Sequence, residues 1–257
     1  GFDALVVGHA EDPDLTEGAS MTEGEFATRL GIAAAPTAAE TMIVERDIRL
    51  VELTGARYHF AQISCRASLE AVAAAKARGL PITCGVSAHH LMLNELDVGS
   101  YFTFRKVKPP LRSEADRAAM VEGVASGVID VIVSSHDPQG ADTKRQPFAA
   151  AAFGAVGLET LLPAALALYH NGQASLSDVL KTMTAAPARI LGIAGGTLAK
   201  GAPADLVLID PDEPFAVDAE RLKSRARNTA FEGRLFQGRA QKTFSGGDCV
   251  FDRGREH

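Results

Sequence analysis

The chain has 257 residues, enough for one large domain or for a domain with a small appendix. Its net charge of −6 argues against nucleic acid or an anionic membrane surface as the main partner. Apolar residues make up 46% and charged residues 23%, an ordinary globular balance, and no apolar run is long enough to span a bilayer.

Leu5-Val6-Val7-Gly8 is a continuous apolar run, expected to be a strand buried on both faces and to begin at Phe2. It ends in His9-Ala10-Glu11-Asp12-Pro13. A polar loop is expected from Asp14 to Pro36, then a helix from Thr37 to Thr54, with Thr37 and Glu40 as a capping box and Gly55 closing it. Arg57 to Ser64 reads as the second strand and Ser68 to Arg78 as the helix after it. Pro81 to Val86 is the third strand, running into Ser87-Ala88-His89-His90-Leu91. Beyond the loop Lys106-Val107-Lys108-Pro109-Pro110-Leu111-Arg112, Ser113 opens a helix to Ser126. Asp130 to Val133 is the fourth strand, and it turns into Ser134-Ser135-His136-Asp137-Pro138-Gln139. Helices are expected over Gly157 to Tyr169 and Ser175 to Ile190.

Four strand–helix units with long crossovers predict an α/β fold with a parallel sheet. Half of a (β/α)₈ barrel fits best, with a doubly wound sheet as the alternative. After Gly192 the composition shifts to turn-rich sequence with strands at Leu206 to Asp210, Gly233 to Thr243 and Asp248 to Phe251, a small β appendix. Cys65, Cys84 and Cys249 lack CxxC spacing and suit unpaired thiols in a reducing cytoplasm.

All four strands carry His at or near their carboxyl ends: His9 with Glu11 and Asp12, His59 with Gln62, His89 with His90, and His136 with Asp137. A single imidazole in such a place is more often a hydrogen-bonded core or loop residue. Recurrence at successive strand ends is the layout of a barrel metal centre. Alternation along Arg57 to Ser64 puts Gln62 on the face turned into the barrel and His59 outward, under a helix. Gln62, a neutral amide, is a poor ligand for Zn²⁺. Lys106, Lys108 and Arg112 are candidates to hold an anion, and a solvated basic loop reads equally well. No GxSxG elbow surrounds Ser64-Cys65, and no P-loop or GxGxxG follows a strand.

Several motifs together resemble class I dihydroorotase, a cyclic amidohydrolase of pyrimidine biosynthesis. They are His9-x-Glu11-Asp12, Arg46-Asp47-Ile48, Thr54-Gly55 with Tyr58-His59, His89-His90-Leu91, Pro109-Pro110-Leu111-Arg112, Gly154-x2-Gly157-Leu158-Glu159-Thr160 and Gly201-x-Pro203-Ala204-Asp205-Leu206. The resemblance implies a metal-dependent (β/α)₈ barrel with a small β-sandwich. Residues 1–192 would be barrel strands five to eight, and 193–257 sandwich strands. The family's first-strand metal pair and its bridging ligand are then not in this stretch, and raw strand edges are expected.

The resemblance also implies zinc as cofactor, with His9 and His136 as metal ligands. A family metal ligand falls on Gln62 and the family's general base on Ser135. Lys108, Arg112, Gln139, Gly154 and Gly157 fall among the substrate contacts, Lys108 on a family Asn and Gln139 on a family His. A serine cannot take up a proton near neutral pH, which leaves Asp137 as the substitute base if the site is active. Two readings follow. One is a silent, structural relative that assembles with aspartate carbamoyltransferase. The other is an active hydrolase of dihydroorotate or a related cyclic amide, a hydantoin among them. A homo-oligomer is expected in both.

Overall fold

The computed structural model describes residues 4–255; Phe2, where the first strand was expected to begin, lies outside them. Strand β1 (Leu5–Gly8) is followed by α1 (Pro13–Thr16), β2 (Met21–Thr22), α2 (Glu25–Leu30) and β3 (Ala34–Ala35). The expected loop from Asp14 to Pro36 therefore holds short elements of its own. Asp12 starts α1, its carboxylate accepting from the Asp14 and Leu15 amides, with Pro13 pre-set at the first helical position. The chain continues through α3 (Ala38–Thr54), β4 (Arg57–Phe60), α4 (Arg66–Ala77), β5 (Ile82–Ser87), α5 (Ala88–Met92), α6 (Glu114–Ala125), β6 (Val131–Val133) and α7 (Ala141–Lys144). Helices α8 (Leu161–His170), α9 (Leu176–Met183) and α10 (Ala185–Leu191) precede β7 (Leu206–Ala216), β8 (Leu235–Ser245) and β9 (Asp248–Asp252).

Strands β1, β4, β5 and β6 form one parallel sheet in that order, with Val7 opposite His59, His59 opposite Thr83 and Gly85 opposite Val131. This is the α/β order read from the sequence: an arc of four parallel strands with helical crossovers. The core lies between sheet and helices, where Phe60, Ile63, Val86, Leu91 and Met120 are fully buried. Strands β7, β8 and β9 form a separate antiparallel sheet whose middle strand packs on α8.

Four local expectations need correction. Strand β1 is not buried on both faces: Val6 and Val7 are 47% and 54% exposed, because β1 pairs only with β4 among the described residues. Thr37 does not cap α3. Its backbone is already helical, and Glu40 turns inward to Ser64 and Arg112 instead of back to the helix start. Strand β4 stops at Phe60, and its faces are exchanged. The Tyr58 hydroxyl donates to Asp47 on α3 at 2.6 Å, so the Tyr58 face is the helix side. His59 takes the opposite face, its Nδ1 2.8 Å from the Thr83 hydroxyl. Finally, the two expected long helices are divided. Pro163 and Pro187 are each the third residue of a helix, α8 and α10. There a missing N–H costs nothing, whereas mid-helix the ring would meet the carbonyl four residues back. Hence Leu158–Thr160 forms a 3₁₀ turn before α8, and the chain breaks at Thr184 between α9 and α10.

Candidate active site at the strand ends

The carboxyl ends of the parallel strands open on one side of the sheet, where a parallel α/β fold places its chemistry. Past β1, the Glu11 carboxylate bridges two partners: His9 Nε2 at 2.9 Å and Lys108 Nζ at 2.8 Å. The His9 bond, with Lys108 adding to it, outweighs partial burial and holds the Glu11 carboxyl well below its usual range, at about 2. Lys108 also stands over the Phe153 ring, 5.1 Å from its centre. His9, Glu11, Lys106, Lys108 and Phe153 line a cavity of about 710 Å³. A larger cleft of about 1070 Å³ lies between Pro163 on α8 and Phe215 on β7.

Past β4, Gln62 buries its Oε1 with no hydrogen-bond partner. Past β5, Ser87 caps α5, and its hydroxyl meets His90 Nδ1 at 2.7 Å while His90 Nε2 donates to the Pro110 carbonyl. Burial first, and then Arg112, lowers His90 to about 4. His89 is buried against Phe231, ring centres 5.3 Å apart, with neither ring nitrogen partnered; burial lowers it to about 3.

Past β6, Ser135 adopts a left-handed backbone with φ 45°. His136 Nδ1 accepts from the Gly157 amide at 3.2 Å and the Leu158 amide at 3.3 Å. Asp137 is exposed, one carboxylate oxygen accepting from Gln139 Nε2 at 2.8 Å. Gly154 and Gly157 let the following segment lie against this turn. A Cβ on Gly154, at φ 111°, would stand 2.3 Å from Asp137 Oδ2, and one on Gly157 would stand 2.1 Å from the Ser134 carbonyl oxygen. Both glycines thus serve close packing of the turn; neither presents a side chain to a ligand.

Arg112, expected to contact substrate, is buried and committed elsewhere. Its Nε donates to Ser64 Oγ at 2.9 Å, Nη1 to Thr22 Oγ1 at 3.2 Å and Nη2 to Glu40 Oε2 at 3.3 Å. Ser64 donates to the same carboxylate through both its amide and its hydroxyl. Burial alone would raise the Glu40 carboxyl; Arg112 and Ser64 together outweigh that and hold it below its usual range. Lys106 is also buried, its ammonium donating to the carbonyls of Phe148 and Ala149. Of the three basic candidates, Lys108 is the one whose ammonium meets a carboxylate at the mouth, that of Glu11. Phe153 and Lys144, both close to the mouth loops, carried no signal in the sequence: one looks like an ordinary core aromatic, the other like part of a solvated Asp142-Thr143-Lys144-Arg145 run.

The donors at the strand ends do not fit a zinc ion. Among the described residues no three His, Cys, Asp or Glu side chains gather to hold a metal. His9 Nε2 is engaged by Glu11, which leaves Nδ1 as that ring's remaining donor atom. His136 Nδ1 accepts two amides, so the neutral ring carries its proton on Nε2 and offers no free lone pair. Gln62 brings only a neutral carbonyl oxygen. As proton acceptors Ser135 and Glu11 are weak as well. Ser135 has no basic group, and Glu11 at about 2 is ionised but far from the basicity a neutral-pH proton transfer needs.

The model of the amidohydrolase family matches residues 8–250. The chain belongs to the amidohydrolase family. Curated relatives include a dihydroorotase of Anaplasma phagocytophilum, 42% identical over 97% of this chain and 56% of that protein. A dihydroorotase of Anaeromyxobacter sp. is 44% identical over 96% and 58%. The chain thus spans a little over half the length of these curated relatives. Among solved amidohydrolase-fold structures, an L-hydantoinase (dihydropyrimidinase) from Arthrobacter aurescens superposes with a TM-score of 0.89 at 26% identity, over 98% of this chain and 58% of that one.

Proposed function

We propose that this amidohydrolase chain is of the dihydroorotase type, from a protein of pyrimidine biosynthesis, and that its strand ends no longer support ring opening. The observation carrying this reading is the closed His9–Glu11–Lys108 chain at the mouth. It ties one imidazole nitrogen of His9, the residue that the family resemblance gives as a metal ligand, to a carboxylate. Gln62 and Ser135 stand where that resemblance expects a second ligand and the base. Ring opening of a cyclic amide requires an activated water and a group to take its proton, and neither Gln62 nor Ser135 can help to supply them. The role left to such a scaffold is structural, in assembly with aspartate carbamoyltransferase, in the cytoplasm.

A second reading has one observation in its favour: Asp137, on the β6 turn, keeps an exposed carboxylate two residues beyond Ser135. An active enzyme would use it as the base, on dihydroorotate or a related cyclic amide. Turnover of dihydroorotate by the intact protein decides between the two. The silent reading expects none. Turnover that disappears in Asp137→Ala would establish the second reading and overturn the first.

A further inference from the structure

Two lysines near the mouth are buried with no carboxylate within ion-pair distance among the described residues. Lys144, at the end of α7, directs its ammonium at three carbonyls: Thr103 at 2.9 Å, Lys106 at 3.3 Å and Ala152 at 2.7 Å. The Thr103 hydroxyl returns a bond to the Lys144 carbonyl at 2.7 Å. Lys106 reaches the other way, to the carbonyls of Phe148 at 2.9 Å and Ala149 at 2.8 Å. Two backbone bonds complete the lacing, Gly154 amide to Lys106 carbonyl at 2.9 Å and Ala152 amide to Thr143 carbonyl at 3.1 Å.

An ammonium in such a place has lost its water, and only a full set of acceptors offsets that loss. Lys144 has three donors and three acceptors. Burial, and then the charge of Lys106, lowers its pKa to about 8 and outweighs the opposing charge of Asp137. The two segments laced together are those that carry the mouth. Lys108 follows Lys106 by two residues, Phe153 follows Ala152 by one, and the two side chains meet over the cavity.

We propose that Lys144 is the positioning residue of the mouth: by gathering the carbonyls of Thr103, Lys106 and Ala152 it locks the loop after α5 onto the loop after α7, and so holds Lys108, stacked over Phe153, against Glu11. The inference concerns loop placement and is independent of whether the centre turns over substrate.

The test is Lys144→Met in the intact protein, followed by amide hydrogen exchange. Exchange over residues 103–108 and 150–157 should accelerate about tenfold or more, since three charge-assisted bonds are lost locally, while β4 and β5 keep their protection. Lys144→Arg should not rescue, because a planar fork cannot gather carbonyls from three directions. Labelling of Lys108 by an amine-reactive ester should rise in Lys144→Met. Should that variant not fold, Thr103→Val removes only the return bond and should give the same local pattern, smaller. Acceleration spread evenly over the sheet, rescue by Arg, or unchanged Lys108 labelling would each overturn the proposal.

Discussion

Two glutamates in this molecule each hold a cation, in opposite surroundings. Glu40 meets Arg112 in the interior, with Ser64 filling the remaining lone pairs and both side chains under 5% exposed. Glu11 meets Lys108 at the mouth, where the lysine is about half exposed. The pairing chemistry is the same, but the cost of breaking it is not. Inside, removing one partner strands a charge where water cannot reach it; at the mouth, water replaces whatever is taken away. The first pair therefore belongs to the fold, tying the start of α3 to the loop before α6. The second belongs to the site.

Arg112→Met, which leaves Glu40 buried without its cation, should have the largest effect. A loss of about 3–5 kcal/mol in denaturant unfolding is expected. A loss below about 1 kcal/mol would mean that Arg112 is not the structural half of the contrast.

His89 should give a smaller effect. Its folded pKa of about 3 lies below the ordinary 6.5 of an unfolded chain. The ring is therefore neutral in the fold, and the unfolded state takes up the proton first as pH falls. The stability this contributes is full above pH 6.5 and is lost progressively toward pH 3. His89→Phe keeps the stack on Phe231 and removes two unpartnered nitrogens. It should flatten that acid window and gain about 1–3 kcal/mol at neutral pH. An unchanged acid profile would show that His89 does not titrate as its burial implies.

Smallest of all should be Glu11→Gln, within about 1 kcal/mol of the parent at neutral pH. Because the Glu11 pKa is lowered from 4.5 to about 2, its modest contribution is present above pH 4.5 and lost as pH falls toward 2. A Glu11→Gln protein should lack that dependence. A large destabilisation at neutral pH would erase the distinction between the two glutamates.

The alternation of β-branched runs with longer helical stretches was enough to read the parallel sheet, because each buried strand announces itself locally. The breaks at Leu158–Thr160 and Thr184 were also written locally, in Pro163 and Pro187, and were missed because the apolar pattern runs straight through them. Face assignment on β4 failed for another reason: the strand is four residues long, and alternation counted back from Ser64 assumes a regularity that ends at Phe60. The site was legible as residue types and not as partners. Glu11 and Lys108 are 97 residues apart, and Lys144 finds its carbonyls 38 and 41 residues upstream. Arg112 looked like a substrate contact because nothing near it in the chain reveals that Glu40 and Ser64 surround it.

On the silent reading proposed above, the strand ends of this chain carry an internal ion chain in place of a metal centre. Zinc content of the intact protein, measured beside a Gln62→His, Ser135→Asp double variant, tests it most directly. The parent should hold no stoichiometric zinc and the double variant should gain affinity for it. One tightly held zinc per parent chain, released when His9 is replaced by Ala, would contradict the claim.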